Sequence, residues 1–169
     1  SERNISTVVS KKDIHRAVRA AHSAFFLSNQ TISVGVIGAG VVGATFLNQL
    51  AARAESLKKE RGIDIRLRGI CNSKVMATNE TGLPVTEWRK AIDDAKSPSD
   101  INAFAKFIGE SHYPHQVLID LTASQATTDQ YQNWLDQGLH IVTANKKAGS
   151  GDFQRYTNLL GSARKNNRY

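Results

Sequence analysis

The sequence predicts an α/β fold, a doubly wound parallel sheet in three layers, with a short strand–helix appendage at its amino end. Three observations carry that expectation. From residue 32 onward, short runs rich in β-branched residues alternate with longer helical patterns, the arrangement of strand–helix–strand units. The first run, Ile32–Ile37 (ISVGVI), is mostly apolar at both odd and even positions, as suits a strand covered on both faces. It then passes directly into Gly38-Ala39-Gly40-Val41-Val42-Gly43, a glycine-punctuated turn that opens a long helical segment.

The elements follow in order. Ile5–Val9 (ISTVV) reads as a short strand. Asp13 can cap a helix whose Ile14, Ala17, Val18, Ala21 and Phe25 fall on one stripe. Residues 1–27 thus form a separate piece, and the polar Ser28-Asn29-Gln30-Thr31 opens the main domain, 28–169. The helix after the glycine turn is expected to run to about Arg61, where Gly62 can end it in a left-handed conformation. Ile63–Ile70 reads as the second strand of the main domain, and residues 72–84 as loop. A short helix is expected from Thr86 to about Ala95. Ser97-Pro98-Ser99-Asp100 breaks it, and Asp100 caps a helix that carries Ile101, Phe104, Ala105 and Ile108. Gln116–Leu121 (QVLIDL) is the third strand, Gln125 to about Asp136 a helix ended by Gly138, and Leu139–Thr143 (LHIVT) the fourth strand. Ser150–Lys165 is the last helix, with a weak point at Gly161.

The chain has 169 residues, one domain's length, with 22 Lys and Arg against 15 Asp and Glu, a net charge of +7. That excess invites a nucleic-acid reading, but the basic residues are scattered and no nucleic-acid motif accompanies them, so no nucleic-acid partner is expected. A single cysteine rules out an internal disulfide framework and fits a reducing compartment. No stretch is apolar for 18 residues, so no membrane span is expected. The start, SERNIS, lacks a basic and apolar leader and reads as the cut end of a longer chain. The expected location is the cytoplasm, or the plastid in a plant.

The glycine spacing has a mechanical meaning. Gly38 permits the tight turn, Gly40 removes a side chain where backbone must approach a diphosphate, and Gly43 lets helix and strand pack closely. The amides of residues 38–43, at a helix amino terminus, then face the anion. The pattern alone is weak, but the preceding strand and following helix are the context that confirms it. NAD sites place a carboxylate at the end of the second strand for the ribose 2′-hydroxyl. Here that end reads Asn72-Ser73-Lys74, so NADP is favoured over NAD, with Ser73 and Lys74 facing a 2′-phosphate.

Ligands gather at the carboxyl ends of parallel strands. The third strand ends in Thr122-Ala123-Ser124, whose hydroxyls suit either the nicotinamide ribose or the capping of the next helix. The fourth ends in Ala144-Asn145-Lys146-Lys147, and Lys146 suits a phosphate or the reacting carbonyl. His112 and His115 have no Cys or His cluster around them, so no metal site is expected. Cys71 has no adjacent base and reads as packing rather than nucleophile, and Trp88 and Trp134 as packing on helices.

Together, ISVGVIGAGVVGATFLNQL, GIDIRLRGICNSK, LIDLTASQ and GLHIVTANKKAGSG resemble the nucleotide-binding domain of homoserine dehydrogenase, most closely that of the bifunctional aspartokinase–homoserine dehydrogenases. ISTVVSKKDIHRAVRAAHSAFFLS resembles the last strand and helix of the ACT-type regulatory segment that precedes it there. Ala144 departs from a proline frequent in the family, and Gly149 from an asparagine. The resemblance implies a Rossmann-type domain and NAD(P)-dependent interconversion of L-homoserine and L-aspartate 4-semialdehyde, on the way to threonine, methionine and isoleucine. By motif, it assigns Gly38, Ala39, Gly40, Val41 and Val42 to phosphate and adenosine, and Asn72, Ser73 and Lys74 to the ribose. Thr122, Ala123 and Ser124 fall to the nicotinamide side, and Lys146 to the hydride-transfer region, in an assisting role. The homoserine-binding carboxylates, the acid–base lysine and the dimer surface belong to a later domain in the family. No catalytic residue is therefore expected within residues 1–169, and the complete enzyme is expected to be a homo-oligomer. Two other readings stand beside this one: a different NAD(P)-dependent oxidoreductase domain, and a non-catalytic nucleotide-sensing domain.

Overall fold

The computed structural model describes residues 30–110 and 113–168, together with residues 6–11, 14, 17, 18 and 21. Positions 14, 17, 18 and 21 are helical, as the apolar stripe predicts. Residues 6–9 are exposed and lie in no strand, which corrects the strand expected over 5–9: a lone β-branched run has no ladder unless a neighbour pairs with it. The rest of the expected 1–27 piece, and its boundary at residue 28, lie outside the described residues.

One six-stranded sheet organises the main domain. Its strands are β1 (Thr31–Ile37), β2 (Asp64–Cys71), β3 (Val75–Thr78), β4 (Ser97–Pro98), β5 (His115–Asp120) and β6 (His140–Thr143), in the order β4-β3-β2-β1-β5-β6. Pairings β2–β1, β1–β5 and β5–β6 are parallel, while β3 and β4 add antiparallel at one edge. The sheet is therefore mixed rather than wholly parallel. Residues 72–84 and 97–100, read as loop and break, contain these two edge strands. Asn72 makes the β2–β3 turn by accepting from the Lys74 and Val75 amides, both at 2.8 Å. A proline in β4 is tolerated because an edge strand leaves one side of its backbone unpaired.

Helices cover both faces, which fixes two cores. On one face lie α1 (Val41–Arg61) and α2 (Trp88–Asp93), with Leu47, Trp88 and Ile92 against Val34, Val36, Leu67 and Ile70. On the other lie α3 (Ile101–Gly109), α5 (Tyr131–Asp136) and α6 (Phe153–Lys165), with Phe104, Ile108, Trp134 and Leu159 against Leu118 and Leu139. Burial of these side chains, worth about 1.5–3 kcal/mol each, is what holds the layers together. The chain changes face between β1 and β5, so their carboxyl ends flank a crevice, the usual ligand position in such sheets.

The helix signals operate as expected at several ends. Gly62 is left-handed (φ 68°) and closes α1. The Asp100 carboxylate accepts from the Asn102 and Ala103 amides, both at 2.9 Å, and starts α3. Gly138 (φ 87°) ends α5, with the Leu139 amide reaching back to the Trp134 carbonyl. Three boundaries differ. A 3-10 turn at Val85–Glu87 precedes a shorter α2. The helix expected over 125–136 is divided into α4 (Gln125–Thr128) and α5, because the Gln130 amide bonds three residues back, to Thr127, and tightens the path. And α6 starts at Phe153, where Asp152 accepts from the Arg155 amide at 2.8 Å, then runs unbroken through Gly161.

At the amino ends of β5 and β6, opposite the crevice, the rings of His115 and His140 meet edge-on at 6.3 Å. Burial, then the Arg168 guanidinium and then His115, holds the His140 pKa below its usual 6.5. His140 thus stays neutral in the folded protein where the unfolded chain takes up a proton. Its contribution to stability is complete above pH 6.5 and declines as the pH falls from there through its lower folded pKa. Thermal melts from pH 7 to 5 should show a smaller drop for His140→Gln than for the parent; an equal drop would exclude this group as a source of acid sensitivity.

Candidate functional site

The glycine turn sits at the carboxyl end of β1, stitched into the sheet on both sides. The Gly38 amide donates to the Cys71 carbonyl of β2 (2.7 Å), and the Leu121 amide after β5 donates to the Ile37 carbonyl (2.8 Å). Gly38 has φ 97°, a conformation that side chains oppose, and a Cβ there would stand 2.8 Å from Thr122 Cγ2. A Cβ on Gly43 would stand 1.8 Å from the Gly38 carbonyl oxygen, so only glycine lets α1 dock on the turn. A Cβ on Gly40 would meet nothing within 4 Å. Gly38 and Gly43 are thus demanded by packing, whereas Gly40 keeps backbone accessible.

Among the described residues, no side chain caps the amino end of the helix behind this turn. Gly40 is its extended N-cap residue, and no acidic residue lies in its first turn. Lys58, Lys59 and Arg61 crowd its last turn, the sign pattern a helix dipole favours. Uncompensated amides at the start of a 21-residue helix suit an anion such as a diphosphate. Ala39 packs on the α1-side core, while Val41 and Val42 are exposed on the first turn. Together, the open backbone over Gly40 and the uncapped amides fit the diphosphate of a dinucleotide.

The ribose candidates form the β2–β3 turn beside it. Asn72 is half-buried, its carboxamide oxygen engaged by the turn amides, while Ser73 and Lys74 are exposed. The turn residues Asn72, Ser73 and Lys74 include no carboxylate. Cys71, buried just before it, has its thiol 3.2 Å from the Ser99 hydroxyl, and burial raises its pKa, which suits packing rather than nucleophilic attack.

The ends of β5 and β6 are tied together. The Thr122 hydroxyl accepts from the Ser124 amide (3.1 Å), and the Ser124 hydroxyl accepts from the Thr127 amide (3.3 Å) to cap α4. Both oxygens therefore serve local turns, each keeping an O–H that can donate outward. Ala123 is exposed between them. Lys146 opens a 3-10 turn, Lys146–Ala148, that follows β6 and is capped by Asn145. Lys146 is exposed, and lines one rim of an apolar cavity of about 380 Å³ shared with Ile141, Thr143, Tyr156 and Leu160. That cavity lies against α6 and not over the glycine turn.

Sequence reasoning missed the group that ties these ends. Asp120 is fully buried and accepts from the Thr122 amide (2.8 Å), the Tyr131 phenol (2.5 Å) and the Asn145 carboxamide (3.1 Å). The signal was a carboxylate inside the otherwise apolar strand of QVLIDL, since a buried charge must be hydrogen-bonded. Among the described residues, no group of three or more His, Cys, Asp or Glu side chains is placed to hold a metal ion. His112 lies outside those residues, and His115 faces His140 at the far end of the sheet. No described helix is long and apolar enough to cross a membrane.

Comparisons with known proteins converge. Residues 38–169 match the family model described as "Homoserine dehydrogenase, NAD binding domain". The chain is 42% identical over 160 residues to the chloroplastic bifunctional aspartokinase/homoserine dehydrogenase 1 of Zea mays, covering 94% of this chain and 17% of that protein. It is 33% identical over 163 residues to the bifunctional aspartokinase/homoserine dehydrogenase of Haemophilus influenzae, covering 96% of this chain and 20% of that one. The chain therefore spans about a fifth or less of the length of these relatives. The structure of a hyperthermophilic archaeal homoserine dehydrogenase in complex with NADPH superimposes with a TM-score of 0.61 at 18% identity, over 81% of this chain and 42% of that one, a likeness of fold.

Proposed function

This chain belongs to the family of homoserine dehydrogenase NAD-binding domains, and from that premise we propose that it is the dinucleotide-binding part of an NAD(P)-dependent homoserine dehydrogenase, joined in the complete protein to an aspartokinase. The observation that carries the proposal is the open backbone over Gly40 at an uncapped helix terminus in the β1–β5 crevice. When bound, the dinucleotide accepts or supplies the hydride that interconverts L-homoserine and L-aspartate 4-semialdehyde. The chain's own part is to hold and orient it. The amides of residues 38–43 take the diphosphate, Asn72, Ser73 and Lys74 the ribose at the adenosine end, and Thr122, Ala123 and Ser124 the nicotinamide end. Lys146 places an ammonium group beside the reacting carbonyl in an assisting role.

Residues 1–27 are assigned to the end of a regulatory segment and 28–169 to the dinucleotide domain. The substrate carboxylates and the acid–base group are assigned to a further domain that also forms the homo-oligomer. Hydride transfer needs a carbonyl held against the nicotinamide and a proton delivered to it, and residues 1–169 supply neither in full. The compartment would be the cytoplasm, or the plastid in a plant host.

NADP is the favoured cofactor, because Lys74 stands where a ribose-binding carboxylate would repel a 2′-phosphate. Titration of the 169-residue chain with NADPH and NADH, followed by calorimetry, is expected to show tighter NADPH binding. Lys74→Glu should weaken NADPH about tenfold, the scale of one charge-assisted contact, and leave NADH within about twofold. Equal affinities insensitive to Lys74→Glu would overturn the preference, and binding of neither nucleotide would overturn the function. Homoserine plus NADP should give no appreciable turnover with this chain; appreciable turnover would show that it carries its own catalytic residues.

A further inference from the structure

We propose that Asp120 is a positioning residue, a buried carboxylate that locks the ends of β5 and β6 together and so sets where the Thr122–Ser124 turn and Lys146 stand against the nicotinamide end of the dinucleotide. This rests on the cofactor reading above and names how that end of the site is shaped.

Donors from three segments of the chain converge on one group at this junction. The Asp120 carboxylate receives the Thr122 amide from its own turn, the Tyr131 phenol from α5 and the Asn145 carboxamide from beyond β6. Its backbone carbonyl also accepts from the Thr143 hydroxyl and the Ala144 amide, both at 3.1 Å. Asn145, itself buried, uses its second N–H on the Ser124 carbonyl (2.9 Å) and caps the turn that begins at Lys146. The Thr143 hydroxyl completes the ring, 2.8 Å from the Tyr131 oxygen and accepting from the Asn145 amide at 2.9 Å. Residues 120–124 and 143–147 therefore move as one body. Without the carboxylate, the Tyr131 and Asn145 bonds to it would be lost, and the Asn145–Ser124 bond and the two bonds to the Asp120 carbonyl would remain to tie the segments beyond the ladder. Burial and the adjacent Asp120 carboxylate hold the Tyr131 phenol above the usual tyrosine range, so it remains a donor at every physiological pH. Asp120 and Tyr131 are themselves buried, so the proposed role is to place neighbouring residues and not to touch the cofactor.

The lock makes a prediction that a general loss of stability does not. NADPH and 2′-phospho-ADP-ribose share the adenosine and diphosphate but differ in the nicotinamide. Tyr131→Phe keeps the ring beside Trp134 and removes the donor; Thr143→Val removes the hydroxyl on the β6 side. Calorimetric titration of the parent chain and both variants is expected to show NADPH weakened about five- to tenfold, with 2′-phospho-ADP-ribose unchanged within about twofold. If Tyr131→Phe loses its cooperative melt, Thr143→Val carries the comparison. Equal weakening of both ligands, or of neither, would overturn the positioning role. Failure of the parent chain to bind even 2′-phospho-ADP-ribose would instead overturn the cofactor reading, and the lock's function with it.

Discussion

Gly43→Ala is expected to destabilise this domain by about 3 kcal/mol and to lower its melting temperature by roughly 6–12 °C. The sign runs against helix propensity. Gly43 lies in α1, where alanine is ordinarily favoured by about 1 kcal/mol. Here the added methyl would stand 1.8 Å from the Gly38 carbonyl oxygen and 2.8 Å from its carbonyl carbon. Those are backbone atoms of a turn hydrogen-bonded to Cys71, so they cannot swing aside as a flexible side chain would. The helix must move instead, and it carries Leu47 and Leu50 out of their core contacts as it does. Differential scanning calorimetry of the variant measures the effect directly. A melting temperature equal to or above the parent's would mean that the helix does not dock on the turn this closely.

Gly40→Ala is expected to do the reverse: leave stability nearly untouched and weaken dinucleotide binding at least about tenfold, about 1.4 kcal/mol. Gly40 has φ −74° and open space where its Cβ would stand, so alanine is accommodated without strain. The poorer N-cap residue costs about 0.5–1 kcal/mol, largely offset by the reduced freedom of the unfolded chain, which leaves a shift of about 1–2 °C. The methyl would, however, occupy the space through which a diphosphate approaches the first-turn amides. Titration of the variant with NADPH, beside its melting curve, tests both halves. Undiminished affinity would place the diphosphate away from this turn and remove the main support for the proposed function. The pair separates two roles within one motif: the third glycine serves packing, and the second serves the ligand.

Much of the domain was legible because its determinants are local. The turn at residues 38–43 needs only a strand before it and a helix after it, and both announce themselves in neighbouring residues. Asp100, Gly62 and Gly138 mark helix ends for the same reason, each bonding within a few positions of itself. The antiparallel edge was not legible. Val75–Thr78 is only four residues long and flanked by Asn72 and Asn79, whose turn signals outweigh a weak strand pattern; Pro98 hides a two-residue partner. These strands form because β2 offers an unpaired edge, a property of the sheet and not of residues 72–98. The candidate site divides likewise. Its glycines, Lys74 and Lys146 stood out as residue types at strand ends, but Asp120, Tyr131 and Asn145 did not, being 11 and 25 residues apart along the chain.

By itself, then, the sequence determined the alternation of strands and helices, the geometry of the glycine turn and the family. Tertiary structure decided the mixed edge of the sheet and the closure of β5 against β6 over a buried carboxylate. The physical reason is range. Backbone conformation at a turn is settled by sterics between neighbouring residues, whereas a buried polar atom must be satisfied by whatever partner the sheet register brings to it.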